Sequence, residues 1–153
     1  MTISSARRAE KMGIGLLSVH GRTHNERDHP VRIETIKTLT DVLDIPVNYN
    51  GSITSMADAN EAYRTTNCGG VMVARGLLAN PGLFDNRDEG DREVLTRWTQ
   101  LAIGLGIPFS SFHKHTMFML ENISPKPEKR IYNGLQSTVQ AYLWLKEREY
   151  INT

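Results

Sequence analysis

Three short apolar runs, each followed by a polar cluster, alternate with segments of helical spacing, and this rhythm constrains the chain more than any other feature. The runs are residues 14–19 (IGLLSV), 45–49 and 71–74. A run of that length is a buried strand. The segments between them carry the period of an amphipathic helix: over residues 31–43, Ile33, Ile36, Leu39, Val42 and Leu43 recur at three and four. Residues 6–12 predict a helix stopped at Gly13, and residues 56–66 predict another, with Ser55 or Thr54 as its N-cap. Strand and helix in alternation mean a parallel sheet, so the first part of the chain is an α/β fold of barrel or doubly wound type.

The pattern changes near Gly90. Residues 91–105 place Val94, Leu95, Trp98, Leu101, Ala102 and Leu105 on a helical stripe, and residues 109–121 place Phe112, Thr116, Met119 and Leu120 on another. After the break at Ser124-Pro125-Lys126-Pro127, residues 127–150 put Ile131, Leu135, Val139, Tyr142 and Leu143 on one face. The expected organisation is therefore an α/β part over residues 1–90 and a helical domain over residues 91–153.

Parallel α/β folds build their sites at the C-terminal ends of strands. The clusters there are Val19-His20-Gly21-Arg22, Tyr49-Asn50-Gly51-Ser52 and Ala74-Arg75-Gly76. Glycine lets a ligand approach the backbone, unpaired N–H groups favour an anion, and Arg75 offers a charge-assisted bond to a phosphate oxygen. Asn-Gly and Arg-Gly are also ordinary turn signals. Their recurrence in order at successive strand ends is what points to a phosphate site. His20 serves there as a ligand contact or as a strand-end histidine satisfied by backbone.

Charge and composition narrow the rest. A formal charge of +1 lacks the basic excess of a dedicated nucleic-acid-binding domain, yet its distribution is uneven. Residues 41–95 hold nine acids against four arginines, whereas beyond Ile107 six basic residues face four glutamates. Lys114 belongs to that second stretch, as an RNA contact or as part of a solvated helix face. No apolar stretch is long enough for a membrane span, and the N-terminus lacks the apolar core of a signal peptide; a cytoplasmic chain is expected. A single cysteine, Cys68, excludes an internal disulfide and a multi-cysteine zinc site, and no metal site is expected.

Three segments carry a family likeness. Residues 16–39 (LLSVHGRTHNERDHPVRIETIKTL), 45–53 (IPVNYNGSI) and 69–84 (GGVMVARGLLANPGLF) resemble the last three βα units of the tRNA-dihydrouridine synthases, flavin enzymes built on an eight-stranded (β/α)8 TIM barrel. The Glu26-Arg27 and His29-Pro30-Val31 positions look closest to the eukaryotic type-two subgroup. The resemblance implies a C-terminal part of a barrel followed by a helical tRNA-binding domain. It implies that His20 contacts the ring system of flavin mononucleotide (FMN), that Asn50, Gly51 and Ser52 bind the ribityl-phosphate end, and that Ala74 and Arg75 complete that site. Ser52 departs from the family's usual Asp or Gly, and Tyr49, where many members have a small residue, is expected to narrow the site. Arg22 is placed near the substrate uridine or its phosphates. The segment His113-Lys114-His115, followed by Met119-Leu120, is similar to a basic stretch of the family's tRNA-binding domain, with Lys114 and His115 toward tRNA.

Members of this family reduce the C5=C6 bond of uridine with hydride taken from NADPH through FMN, and a cysteine donates the proton. That cysteine has no counterpart in these residues, and Cys68 precedes its strand, so it reads as structural. The expectation is a fragment, a truncated gene model or a short isoform, inactive alone, with an unpaired edge on its first strand. The alternatives are a non-catalytic RNA-binding or interaction module, and another FMN- or phosphate-binding TIM-barrel enzyme.

Overall fold

The computed structural model describes residues 3–26 and 29–152, and the chain divides into two compact units, Met1–Ala74 and Arg75–Thr153. The first contains α1 (Ile3–Lys11), β1 (Leu17–His20), α2 (Ile33–Val42), β2 (Val47–Asn50), α3 (Met56–Thr66) and β3 (Gly70–Met72). The three strands form a parallel sheet in the order β1-β2-β3, with Leu17 opposite Val47 and Asn48 opposite Gly70. β1 is an edge of this sheet.

Strand alternation decides what the sheet covers. Leu17, Val19, Val47 and Tyr49 point toward α2 and α3 and are buried with Ile36, Leu39, Leu43, Ala59 and Ala62. Their neighbours point the other way: Ser18 and His20 are exposed, and Asn48 and Asn50 are half-buried. Ile33, drawn on the buried face of α2 from its spacing, lies outside it and is exposed, because it opens the helix. α3 occupies the residues expected of it, and Ser55 is its cap. The Ser55 hydroxyl accepts from Asp58 N–H, and the Asp58 carboxylate accepts from Ser55 N–H at 2.9 Å, a reciprocal box at the helix start. Cys68 is 1 % exposed and belongs to this core.

The second unit contains α4 (Arg75–Ala79), a 3-10 turn (Leu83–Asp85), α5 (Arg92–Gly104), α6 (Phe109–Leu120), α7 (Lys126–Asn133) and α8 (Thr138–Glu147). The compact unit starts at Arg75 although the helical sequence pattern starts near Gly90, because α4 packs on α6. Asp91 caps α5 by accepting from Glu93 N–H and Val94 N–H, and Arg87 binds Asp85, Asp91 and Glu93. Phe112, Tyr132, Trp144, Leu120 and Leu145 fill the core. Tyr132 and Trp144 meet edge to face at 5.0 Å, and burial pushes the Tyr132 phenol up to about 12.

Two apolar stripes differ from expectation. Leu101 and Leu105 of the α5 stripe are exposed, and Thr99 takes the buried place between Leu95 and Ala102. The single face drawn over residues 127–150 is interrupted between Asn133 and Ser137, where Ser137 caps a new helix. The break resets the helical phase. Val139 and Leu143 are consequently exposed, as is Ile131 before the break, while Tyr132, Ala141, Trp144 and Leu145 are buried. Among the described residues no helix is long and apolar enough to cross a membrane.

Candidate functional site

Within the first unit, the register brings His20, Asn50 and Met72 into one row at the C-terminal ends of the strands. Gly21 N–H donates to Asn50 O at 3.3 Å, and Gly21 O accepts from Arg32 N–H at 2.8 Å, so the turn after β1 is held from both sides. A side chain at Gly21 would overlap the Val31 methyl and lie 3.2 Å from Ile36 Cδ1. At Gly51, φ is +129°, and a Cβ would lie 3.0 Å from Val31 Cγ2 and 3.1 Å from the His20 ring. The imidazole thus lies over the Gly51 backbone. This turn requires glycine both for its φ and for the close approach of His20.

Ser52 follows at φ 55°, a region that glycine enters freely and aspartate tolerates better than serine. Arg22 holds it there: Nη2 donates to the Ser52 hydroxyl at 2.5 Å, while Nε donates to His29 O. Arg22 therefore links the loops after β1 and β2, a partnership that the sequence did not reveal. The N–H groups of Gly51 and Ser52 donate to no protein acceptor among the described residues. They form an open pair of donors beside His20 and Asn50, chemistry suited to an anionic ligand. The start of α3 is not part of that offer, because Asp58 already accepts there from Thr54 N–H, Thr54 Oγ1 and Ser55 N–H. The bonds from Thr54 hold the Asp58 carboxyl below its ordinary value of 3.8.

Tyr49 does not narrow this site. It sits between Asn48 and Asn50 and by alternation faces the helices, where it is 5 % exposed and burial pushes its phenol upward. Asn48 shares the open face instead, its amide oxygen 2.9 Å from where a Cβ on Gly70 would stand. The same period of two, applied to Asn48 and Asn50, was the signal available for it. Ala74 ends the first unit, and Arg75, exposed and without an ion pair among the described residues, opens α4 of the second. Arg27, one of the positions behind the subgroup likeness, lies outside the described residues.

In the second unit the basic stretch on α6 separates into two kinds of histidine. His113 Nε2–H donates to Tyr132 O at 3.0 Å, and the two rings stack at 4.8 Å. Lys114 and His115 are exposed. His115 lies against the Trp98 indole with ring centroids 5.5 Å apart. Lys129, a further basic residue of this unit, is bound to Glu121 through its carboxylate and its carbonyl oxygen.

A parallel α/β unit with polar strand ends, joined in sequence to a helical unit, is the class of protein these features define. The dihydrouridine synthase family model matches residues 1–147, and the chain belongs to that family. It is 42 % identical over 137 residues to the human tRNA-dihydrouridine(20a/20b) synthase (NAD(P)+)-like protein, covering 90 % of this chain and 43 % of that one. It is 31 % identical over 134 residues to an uncharacterized tRNA-dihydrouridine synthase-like protein of Caenorhabditis elegans, covering 88 % of this chain and 47 % of the relative. tRNA-dihydrouridine synthase B of Pasteurella multocida matches at 39 % over 80 residues, 52 % of this chain and 24 % of that protein. The chain spans less than half the length of each of these relatives.

Proposed function

We propose that these residues form the flavin-phosphate side of a tRNA-dihydrouridine synthase that reduces uridine to 5,6-dihydrouridine in tRNA with FMN and NADPH. The strands are then the last three of a (β/α)8 barrel, residues 1–90, and residues 91–153 are its helical tRNA-binding domain. The observation that carries the proposal is the pairing of His20 and Asn50 at adjacent strand ends beside the open N–H groups of Gly51 and Ser52.

In this reading His20 contacts the flavin ring system, and Asn50, Gly51 and Ser52 hold the ribityl-phosphate end, with Ala74 and Arg75 completing the set. FMN, when bound, supplies the hydride that it has received from NADPH. Arg22, expected near the uridine, first keeps Ser52 in its left-handed conformation and so presents the Ser52 N–H. Lys114 and His115 contact the tRNA. Cys68, whose thiol is buried in the core of the sheet unit, is not the proton donor in this reading, which takes these residues alone to be inactive.

The test is Arg75→Ala in the full-length synthase. Loss of a charge-assisted phosphate contact weakens FMN binding on the order of tenfold or more, read by flavin fluorescence titration. Unchanged affinity removes Arg75 from the phosphate.

A further inference from the structure

We propose that a cleft beside α6 binds one unstacked nucleotide of an RNA chain, its base against Phe118 and its phosphate at Lys114. The cleft has a volume of about 500 Å³ and is lined by Leu78 of α4 and by Ser110, Ser111, Lys114, His115 and Phe118 of α6. The cleft is broadly open to solvent, so it suits a ligand lying along the surface rather than one that is enclosed. The α6 residues recur at three and four, so they form one stripe, and Phe112, Thr116 and Met119 on the opposite side are buried.

Three chemistries meet in this space. Lys114 is an exposed cation without an ion pair among the described residues. Ser110, Ser111 and His115 supply short polar groups, and Leu78 and Phe118 supply an apolar wall. His115 is set between Trp98 at 5.5 Å and Phe118, which it meets in a T-shaped contact at 6.4 Å, so the aromatic part of the wall is braced from the core. Inorganic phosphate would leave the apolar wall unused, and a wholly apolar ligand would leave Lys114 unmatched. A nucleotide carries the anion, the polar edge and the flat face together, and only an unpaired one can present that face. The inference rests on the tRNA-binding reading of the helical unit and deepens it from backbone attraction to capture of a single residue.

The experiment measures tRNA affinity against salt for the full-length protein and three variants whose folding is checked by thermal unfolding. Ser111→Trp fills the cleft without changing charge, and Phe118→Leu keeps an apolar wall but removes the aromatic face. Each is expected to weaken binding on the order of tenfold with an unchanged salt slope. Lys114→Ala weakens binding and lowers the magnitude of the log-log slope by about one. Parental affinity in both Ser111→Trp and Phe118→Leu overturns the cleft. Failure of the parent to bind tRNA overturns the RNA reading itself, and uridine 5′-monophosphate then tests the cleft separately. A saturable shift of the His115 and Phe118 resonances by that nucleotide, with none from inorganic phosphate at equal ionic strength, supports it. Equal shifts from both, or none from either, overturn it.

Discussion

The sheet unit buries one face and keeps the other mostly polar, with Met72 as an exposed apolar exception, whereas the helical unit closes around an aromatic centre. In the first, Leu17, Val19, Val47 and Tyr49 pack beneath α2 and α3, and Ser18, His20, Asn48 and Asn50 stand on the opposite face. In the second, Phe112, Tyr132 and Trp144 are enclosed by α5 to α8. The difference separates two ways of presenting chemistry. The strand register aligns His20 with Asn50 through the backbone ladder, so the candidate flavin contacts are placed by hydrogen bonds and by glycine turns. On α6 a continuous helix displays Lys114 and His115, and what holds their surroundings is the core behind them.

The largest effect expected from this contrast is in the helical core. Phe112→Ala removes a ring that is 0 % exposed and stacked near Trp98, and it lowers stability by about 3–5 kcal/mol in urea unfolding. A loss within experimental error would break the claim that aromatic packing holds this unit. Next comes the glycine turn of the sheet unit. Gly21→Ala forces a methyl into Val31 and costs about 1–3 kcal/mol, with hydrogen exchange faster at Arg32 N–H, whose acceptor is Gly21 O. Retained stability and retained protection at Arg32 would show that the turn is not held by close approach.

A smaller, pH-dependent effect sharpens the account of α3. The folded Asp58 carboxyl is depressed below its ordinary 3.8, so its contribution is present above that value and lost as pH falls through the folded value. Asp58→Asn is therefore less stable than the parent near neutral pH, and the two converge as the pH falls through the folded value of the carboxyl. A difference that persists unchanged into acid would assign the effect to something other than the charge. Ser52→Gly is expected to have the smallest effect, within about 1 kcal/mol of the parent, because relief of the left-handed serine offsets the lost Arg22 bond. A loss well beyond that would make Arg22 and Ser52 a principal tie between the two loops.

Periodicity and end signals placed the three strands and the helices between them, but not α4 or the division of residues 127–150 into two helices. The spacing over residues 56–66 and the Ser55 cap predicted α3, and the glycine-bearing clusters after the first two runs predicted where β1 and β2 end, whereas β3 stops at Met72, before the third cluster. Those are properties of neighbours along the chain, governed by local sterics and by backbone groups that need nearby partners. The resemblance in residues 16–84 likewise named His20, Asn50, Gly51 and Ser52 from contiguous strings.

Tertiary structure decided what depended on residues distant in sequence. Which face of residues 127–150 is buried followed from the break before Ser137, since a change of phase between two helices rotates every later side chain. Whether Tyr49 enters the site followed from which side of the sheet α2 and α3 cover. The Arg22 bonds to His29 and Ser52 join loops from two βα units, and the cleft on α6 exists because α4 packs on it. Sequence alone determined the alternation of strands and helices in the sheet unit and the polar groups at the strand ends; folding determined which of those groups remained without a partner, because a donor is open only where no other part of the chain arrives to accept from it.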